Sequence, residues 1–381
     1  MKKLIFRKLF KDIIVLFTAL SLSLTIIVWV MQAVNFLDFV SEDGHGFRVY
    51  FSYTLLSFPK IFSRLLLISF FISLIYMIIR YEENNELILF WVMGISKVKF
   101  IENLVKFSIL FFIIQIILTT IISPLSQDTA RSFLRGSSVD LFPSLIKEKK
   151  FIDTVSNLTI YVNKKSKDKK IMENIFIKDQ SSKIGGYQII FAEKGELVNI
   201  DNKNYLLLKN GEIFSDDGKN SNSFKFENFK FNLSNFVTKT TLIPKIQETN
   251  TIILTKCLLN NTLNKNYVID SKKLVCDKGS EKNISEELLK RFYLPLYLPL
   301  ITIIGCLIIL KTKEEKSYRK HKIFTFLLGF SIIFISEASI KYTDGNLAKN
   351  LTFFLVPFLL SCISYLYLKK KLNHKIESLD D

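Results

Sequence analysis

Six stretches of the chain stay apolar for about twenty residues: 13–34, 56–79, 101–122, 292–310, 323–340 and 351–368. A helix rises 1.5 Å per residue, so roughly 20 residues cross the hydrocarbon core of a bilayer. Each stretch is therefore predicted to be a membrane-spanning helix. Between the third and the fourth the pattern changes to short runs rich in β-formers: "NLTIYVNKK", "ENIFIKD", "YQIIFAEKGEL", "NYLLLKNGEIF" and "SFKFENFKFNL". Bounded by Lys-Asn-Gly and Asp-Asp-Gly, they predict an antiparallel sandwich or a partly open roll. In the last run Phe224 and Phe226 share one face, whereas Phe229, Phe231 and Leu233 have the opposite parity. A register shift is expected near Asn228, as a bulge or bend would produce. The fold class is a membrane α-helical protein with an inserted all-β domain, three spans on either side of it.

Charge orients this layout. Lys and Arg number 52 against 35 Asp and Glu, and much of the excess flanks the apolar runs. Lys2, Lys3, Arg7, Lys8 and Lys11 precede the first run as they would in a signal peptide. Its apolar core is too long for one, and no small-x-small cleavage site follows, so it reads as a retained span. The 80–99 loop, the 311–322 loop and the C-terminal tail are also rich in Lys and Arg. The positive-inside rule places these segments in the cytoplasm and the β-rich region outside.

Chemistry is scarce. The chain has no phosphate-binding G-x-x-x-x-G-K-[ST] loop, no H-E-x-x-H, no paired Cys-x-x-Cys and no G-x-S-x-G. It is expected to be no enzyme, with no metal and no cofactor. Ionisable residues inside the spans are few; Lys60, Arg64 and Glu337 sit toward outer ends, which argues against an ion pathway. A long polar insert, 249–285, holds Cys257 and Cys276, which an oxidising exterior would allow to pair. The alternative is two unpaired thiols. Cys306 and Cys362 lie within spans as packing residues.

The most informative loop is "NNELILFWVMGISKVKF", residues 84–100. It reads as a helix headed by Glu82, Glu83 and Glu86, which favour the positive end of the helix dipole, and closed by Gly94. Leu87, Phe90, Trp91 and Gly94 recur at helical spacing, but Ile88, Leu89, Val92 and Met93 are apolar too. So greasy a helix lies in the membrane interface or in a partner's groove. The acidic head favours a partner, where carboxylates pair with cations and set register.

"RYEENNELILFWVMGISK" resembles the cytoplasmic coupling-helix signature of the lipopolysaccharide-export permeases LptF and LptG (YjgP/YjgQ type). "SFPK" at span two, "FENFKFNLS" ending the β-region and "EELLKRFYLPLYLPL" entering span four extend the likeness along nearly the whole chain. "SEASIKYTDGNL" looks more like LptF than LptG.

The resemblance implies three parts: 1–122, three spans with a coupling helix near 82–96; 123–290, a periplasmic β-jellyroll-like domain; and 291–381, three spans and a cytoplasmic tail. It implies a multi-pass protein of the bacterial inner membrane, with both termini cytoplasmic. The implied partners are an LptG-like second permease, an LptB-like ATPase dimer that hydrolyses the ATP, and an LptC-like β-jellyroll protein continuing a periplasmic bridge. The implied substrate is lipopolysaccharide, with no role for nucleic acid. Glu86 matches the carboxylate that engages the ATPase, with Leu87, Phe90, Trp91, Gly94 and Ser96 completing the coupling segment. Lys60 matches a basic position of the family, and with Arg64 and Arg291 forms an expected set of lipid-phosphate contacts. A different class, a signalling or scaffold protein with an external ligand-binding β-domain, fits the layout without these motifs.

Overall fold

The computed structural model describes all residues except 1, 38–45, 137–145, 147, 156, 167–170, 181–186, 201–202, 217–220, 234–244, 264–280, 344–346 and 381. The chain divides into two compact units. One comprises Met1–Val30, Ser57–Gln127 and Lys245–Asp381; the other comprises Met31–Leu56 and Asp128–Pro244.

Helices α1 (Lys2–Asn35), α2 (Phe47–Leu56), α3 (Phe58–Glu83), α4 (Glu86–Val92), α5 (Lys97–Ile117) and α6 (Ser123–Gly136) precede the sheet. A π-helical turn, Leu118–Ile122, joins α5 to α6. After the sheet come α7 (Thr251–Leu263), α8 (Glu281–Phe292), α9 (Tyr297–Gly305), α10 (Tyr318–Ser339) and α11 (Leu347–Asp380). Among the described residues, 6 helical segments are long and apolar enough to cross a membrane, and each predicted span falls within one of them to within a residue.

In the helical unit α9 is central, packing on α3, α5, α10 and α11. Leu298, Ile301, Ile303 and Ile304 are buried there together with Leu66, Phe70, Phe71 and Leu74 of α3. Gly329 of α10 meets α3 so closely that a Cβ would lie 2.0 Å from the Phe71 ring. Two of the buried hydroxyls bond to their own helix, Ser73 Oγ to the Phe70 carbonyl at 2.9 Å and Thr302 Oγ1 to the Leu298 carbonyl at 2.8 Å. This removes the cost of burying an unpaired polar group in an apolar surround.

The inserted sheet is a meander: β1 (Phe151–Val155), β2 (Leu158–Lys165), β3 (Ile171–Asp179), β4 (Tyr187–Ile200), β5 (Lys203–Asp216) and β6 (Ser221–Asn232). Each strand pairs antiparallel with the next. Two expectations need correcting. Lys209-Asn210-Gly211 is no turn; it lies inside β5, with Lys209 still paired to Lys194 and Asn228. Nor does the pairing of β6 slip near Asn228. Instead the buried face changes parity on neighbouring strands together: Met172 then Ile175 and Ile177 on β3, Leu206 and Leu208 then Ile213 on β5.

Asn174 and Asn210 stand at that line with φ of 50° and 51°, a left-handed twist that Asn tolerates better than most residues. Beside it Gly211 leaves no room for a side chain, since a Cβ would lie 2.2 Å from the Phe191 carbonyl oxygen. The sheet is thus bent along a row with its register intact. On the face opposite the core, Phe151, Tyr161, Phe176 and Phe191 form a cross-strand aromatic ladder. Its ring centroids are 4.7 Å (Phe151–Tyr161), 6.1 Å (Phe151–Phe176) and 5.2 Å (Phe176–Phe191) apart. These four line an open groove of about 770 Å³.

The residues between Thr251 and Leu263, read from sequence as polar insert, are helical. Leu254, Cys257 and Leu258 of α7 pack against Ile284 and Leu288 of α8, and that apolar contact is what fixes the helix.

Candidate functional site

The 84–100 loop is an elbow with both ends defined. Asn85 enters α4 at φ 61°. At the other end the Gly94 N–H donates to the Trp91 carbonyl at 2.9 Å and the Ile95 N–H to the Phe90 carbonyl at 3.0 Å. This pair of bonds is a Schellman closure. It needs a left-handed residue, which Gly94 supplies at φ 71°. Ser96 then caps α5, its Oγ accepting from the Lys99 N–H at 3.3 Å.

Within α4 the faces divide. Leu87 and Phe90 are buried, and the Phe90 ring packs on Phe6 at 5.2 Å and Phe100 at 5.0 Å. Trp91 is half-buried against Phe100, its centroid 5.6 Å away. These three residues, expected from sequence to meet a partner, anchor the elbow to its own chain. The outward face is Ile88, Leu89 and Val92, which are 49%, 53% and 79% exposed. The sequence contains this split, because 88, 89 and 92 are the helical complement of 87, 90, 91 and 94. It could not say which set faces in, since both are apolar.

Of the three carboxylates expected to head this helix only Glu86 lies in α4; Glu82 and Glu83 close α3, whose helix runs on to Glu83. All three are bound. Glu86 Oε2 accepts from Lys8 Nζ at 2.9 Å, Glu82 Oε1 from the Lys313 N–H at 3.1 Å, and Glu83 Oε1 from Lys322 Nζ at 3.0 Å. Lys8 and Glu86 both remain partly in solvent, so their pair is exchangeable.

A second cluster forms at the predicted outer end of the spans. Lys60, Arg64 and Arg291, expected together, do line one pocket of about 310 Å³. Lys290 and Lys341 join them, with Glu286, Glu287 and Glu337 as counter-charges, all unremarked in the sequence reading apart from Glu337. Lys60 is half-buried and donates to Gln247 Oε1 at 2.6 Å and Gln127 Oε1 at 3.4 Å; Arg64 is exposed.

Arg291 is the most firmly held of the three. It is buried, donating through Nε to Glu287 at 3.1 Å, through Nη1 to the Thr249 carbonyl at 3.0 Å and Thr251 Oγ1 at 2.8 Å, and through Nη2 to the Gln247 carbonyl at 3.0 Å. Its own carbonyl accepts from Thr119 Oγ1 in the π-helical turn at 2.9 Å. With its donors engaged in this way it ties α8 to the 247–251 segment rather than offering a fork to a ligand.

Cys257 is buried and belongs to a disulfide; Cys276 lies outside the described residues. Cys306 and Cys362 are free thiols, the first buried and the second exposed. No group of metal-ligating side chains occurs among the described residues.

Residues 7–371 match the family model for lipopolysaccharide export system permease LptF/LptG, a span that takes in both the elbow and the outer pocket. The chain is also similar to "Uncharacterized protein RP871" of Rickettsia prowazekii (strain Madrid E). The two are 24% identical over 356 residues, covering 92% of this chain and 93% of that protein.

Proposed function

Because the chain belongs to the lipopolysaccharide export system permease family LptF/LptG, we propose that it is one of two permeases in an ATP-driven complex lifting lipopolysaccharide from the inner membrane. The permease role and the multi-pass inner-membrane setting come with the family. The arrangement of partners, orientation and lipid contacts is our reading.

Energetics supports a motor. Drawing acyl chains into water costs about 0.8 kcal/mol per CH₂, so several chains together cost tens of kcal/mol. The observation that carries the reading is α4. Its exposed Ile88, Leu89 and Val92 adjoin a carboxylate whose in-chain partner is exchangeable, on a helix fixed at both ends. That is a docking helix for the groove of a soluble LptB-like ATPase. Glu86 sets its register, Leu87, Phe90 and Trp91 transmit movement into the spans, and Gly94 and Ser96 hold the elbow's angle.

In this reading both termini face the cytoplasm, and 123–290, with its bent six-stranded sheet, lies in the periplasm, inserted in sequence after the spans of 1–122 and before those of 291–381. Lys60 and Arg64 meet lipid phosphate from the outer pocket, and Arg291 positions their wall. The sheet carries acyl chains onward to an LptC-like jellyroll. The sequence of the 336–347 segment supports an LptF-like place beside an LptG-like partner.

The test is purification from the native membrane in mild detergent, with partners identified by mass spectrometry. A stoichiometric soluble ATPase and a second six-span permease are expected. Leu89→Asp with Val92→Asp should lose the ATPase and keep the second permease. Equal ATPase recovery from this variant overturns the docking face. Protease added outside spheroplasts should cut the sheet and spare tags on both termini.

A further inference from the structure

Against the elbow lies a groove of about 770 Å³ that the coupling role does not use. Its floor is apolar, made by Phe6, Phe10 and Ile14, one turn apart along α1, with Ile95 opposite. Its rim is cationic: Lys3, Arg7 and Lys11 from α1 and Lys99 from α5, all exposed, with Lys2 reaching the Gly94 carbonyl at 3.4 Å. Among the described residues no carboxylate lines the groove.

This charge is placed against its own interest. The first turn of α1 contains no acidic residue and holds Lys2 and Lys3 at the positive end of the helix dipole, and Arg7 and Lys11 repel them and one another. Lys8 has Glu86, but Glu86 does not reach the groove. What relieves the rest is an anion. What fills a greasy floor beneath a cationic rim is an anion carrying hydrocarbon. Electrostatic fit and the order of apolar and charged surface both match a phospholipid whose phosphate lies at the rim and whose chain lies along Phe6, Phe10 and Ile14.

We infer that this groove holds one anionic phospholipid of the cytoplasmic leaflet, bridging α1 to the elbow at Gly94 and Ile95. The leaflet, though not the groove, rests on the proposed orientation.

Native mass spectrometry of the full-length protein from nanodiscs with equal phosphatidylglycerol and phosphatidylcholine tests it. The wild type should retain one phosphatidylglycerol, preferred about tenfold. Arg7→Glu with Lys11→Glu should cut retention at least fivefold. Arg7→Lys should keep it, as should Arg319→Glu with Lys320→Glu, which alters cytoplasmic-side charge elsewhere. Equal retention of both lipids, or equal loss in the two charge-reversed variants, overturns the site. So does displacement of the lipid when the ATPase binds, which would assign the rim to a protein. Retention with termini found outside would sustain the groove while overturning the orientation.

Discussion

At one end of the helical unit Lys8 meets Glu86 at 2.9 Å, with 64% and 29% of the two side chains exposed. In another part of the same unit Arg291 meets Glu287 at 3.1 Å, with only 3% and 13% exposed. The chemistry is the same and the consequence opposite. Water competes for the first pair, so it is worth about 0–1 kcal/mol and either ion can be lent to another protein. The second pair is removed from water, and its guanidinium also satisfies two backbone carbonyls, so nothing else can substitute for it. Exposure, rather than the presence of an ion pair, separates a contact available to a partner from one that holds the fold.

Five substitutions probe that contrast. Arg291→Met should be the most damaging, destabilising the detergent-solubilised protein by about 3–5 kcal/mol because Glu287 is left buried without its cation. Thermal unfolding measures it, and Arg291→Lys should restore less than half, since an ammonium cannot reach the carbonyls of Gln247 and Thr249 as a fork does. A loss under about 1 kcal/mol would mean that Arg291 is a ligand group after all.

Gly94→Ala should cost about 1–2 kcal/mol, from the left-handed backbone alone, since only Lys2 Nζ at 3.9 Å lies near an added Cβ. Its unfolding midpoint should fall less than that of Arg291→Met, while ATPase recovery falls more.

Lys8→Ala should change stability by no more than about 1 kcal/mol, and that difference should vanish in high salt. ATPase recovery should be unchanged or higher, because Glu86 is released. Glu86→Ala should leave the fold equally intact and reduce recovery. Identical behaviour of Lys8→Ala and Glu86→Ala would show that their contact with each other is all that matters.

How much of this the residues announce depends on the kind of bond. The spans were legible because hydrocarbon demands long uninterrupted apolar runs, and no other part of the chain has them. Five of the six strands were legible for the same reason at shorter period, and β1 was not, being 5 residues long. The bend at Asn174 and Asn210 was half legible. Parity in β6 revealed that faces exchange, but a matching exchange in β5 is invisible until the strands are paired. Lys60 and Arg64 announced themselves by charge in an apolar setting. The task of Arg291 did not, because two of its acceptors are backbone carbonyls, which every residue has. Helix α7 was hidden among Asn and Lys, its reason for existing lying in Ile284 and Leu288 of α8.

The acidic head of the elbow has a bearing on how the molecule is made. Glu83 is bound by Lys322, 239 positions later in the chain, and Glu82 by the backbone of Lys313, 231 positions later. At a synthesis rate of roughly 5–20 residues per second, the elbow leaves the ribosome roughly ten to fifty seconds before these braces exist. During that interval α1, made earlier, holds it through Lys8 on Glu86, Lys2 on the Gly94 carbonyl and Phe6 on Phe90. A truncated or stalled chain would therefore carry α4 without the two braces from residues 313 and 322. If α4 docks an ATPase as proposed, only a finished chain presents it as a firm lever, and recruitment of that ATPase then follows completion of the chain.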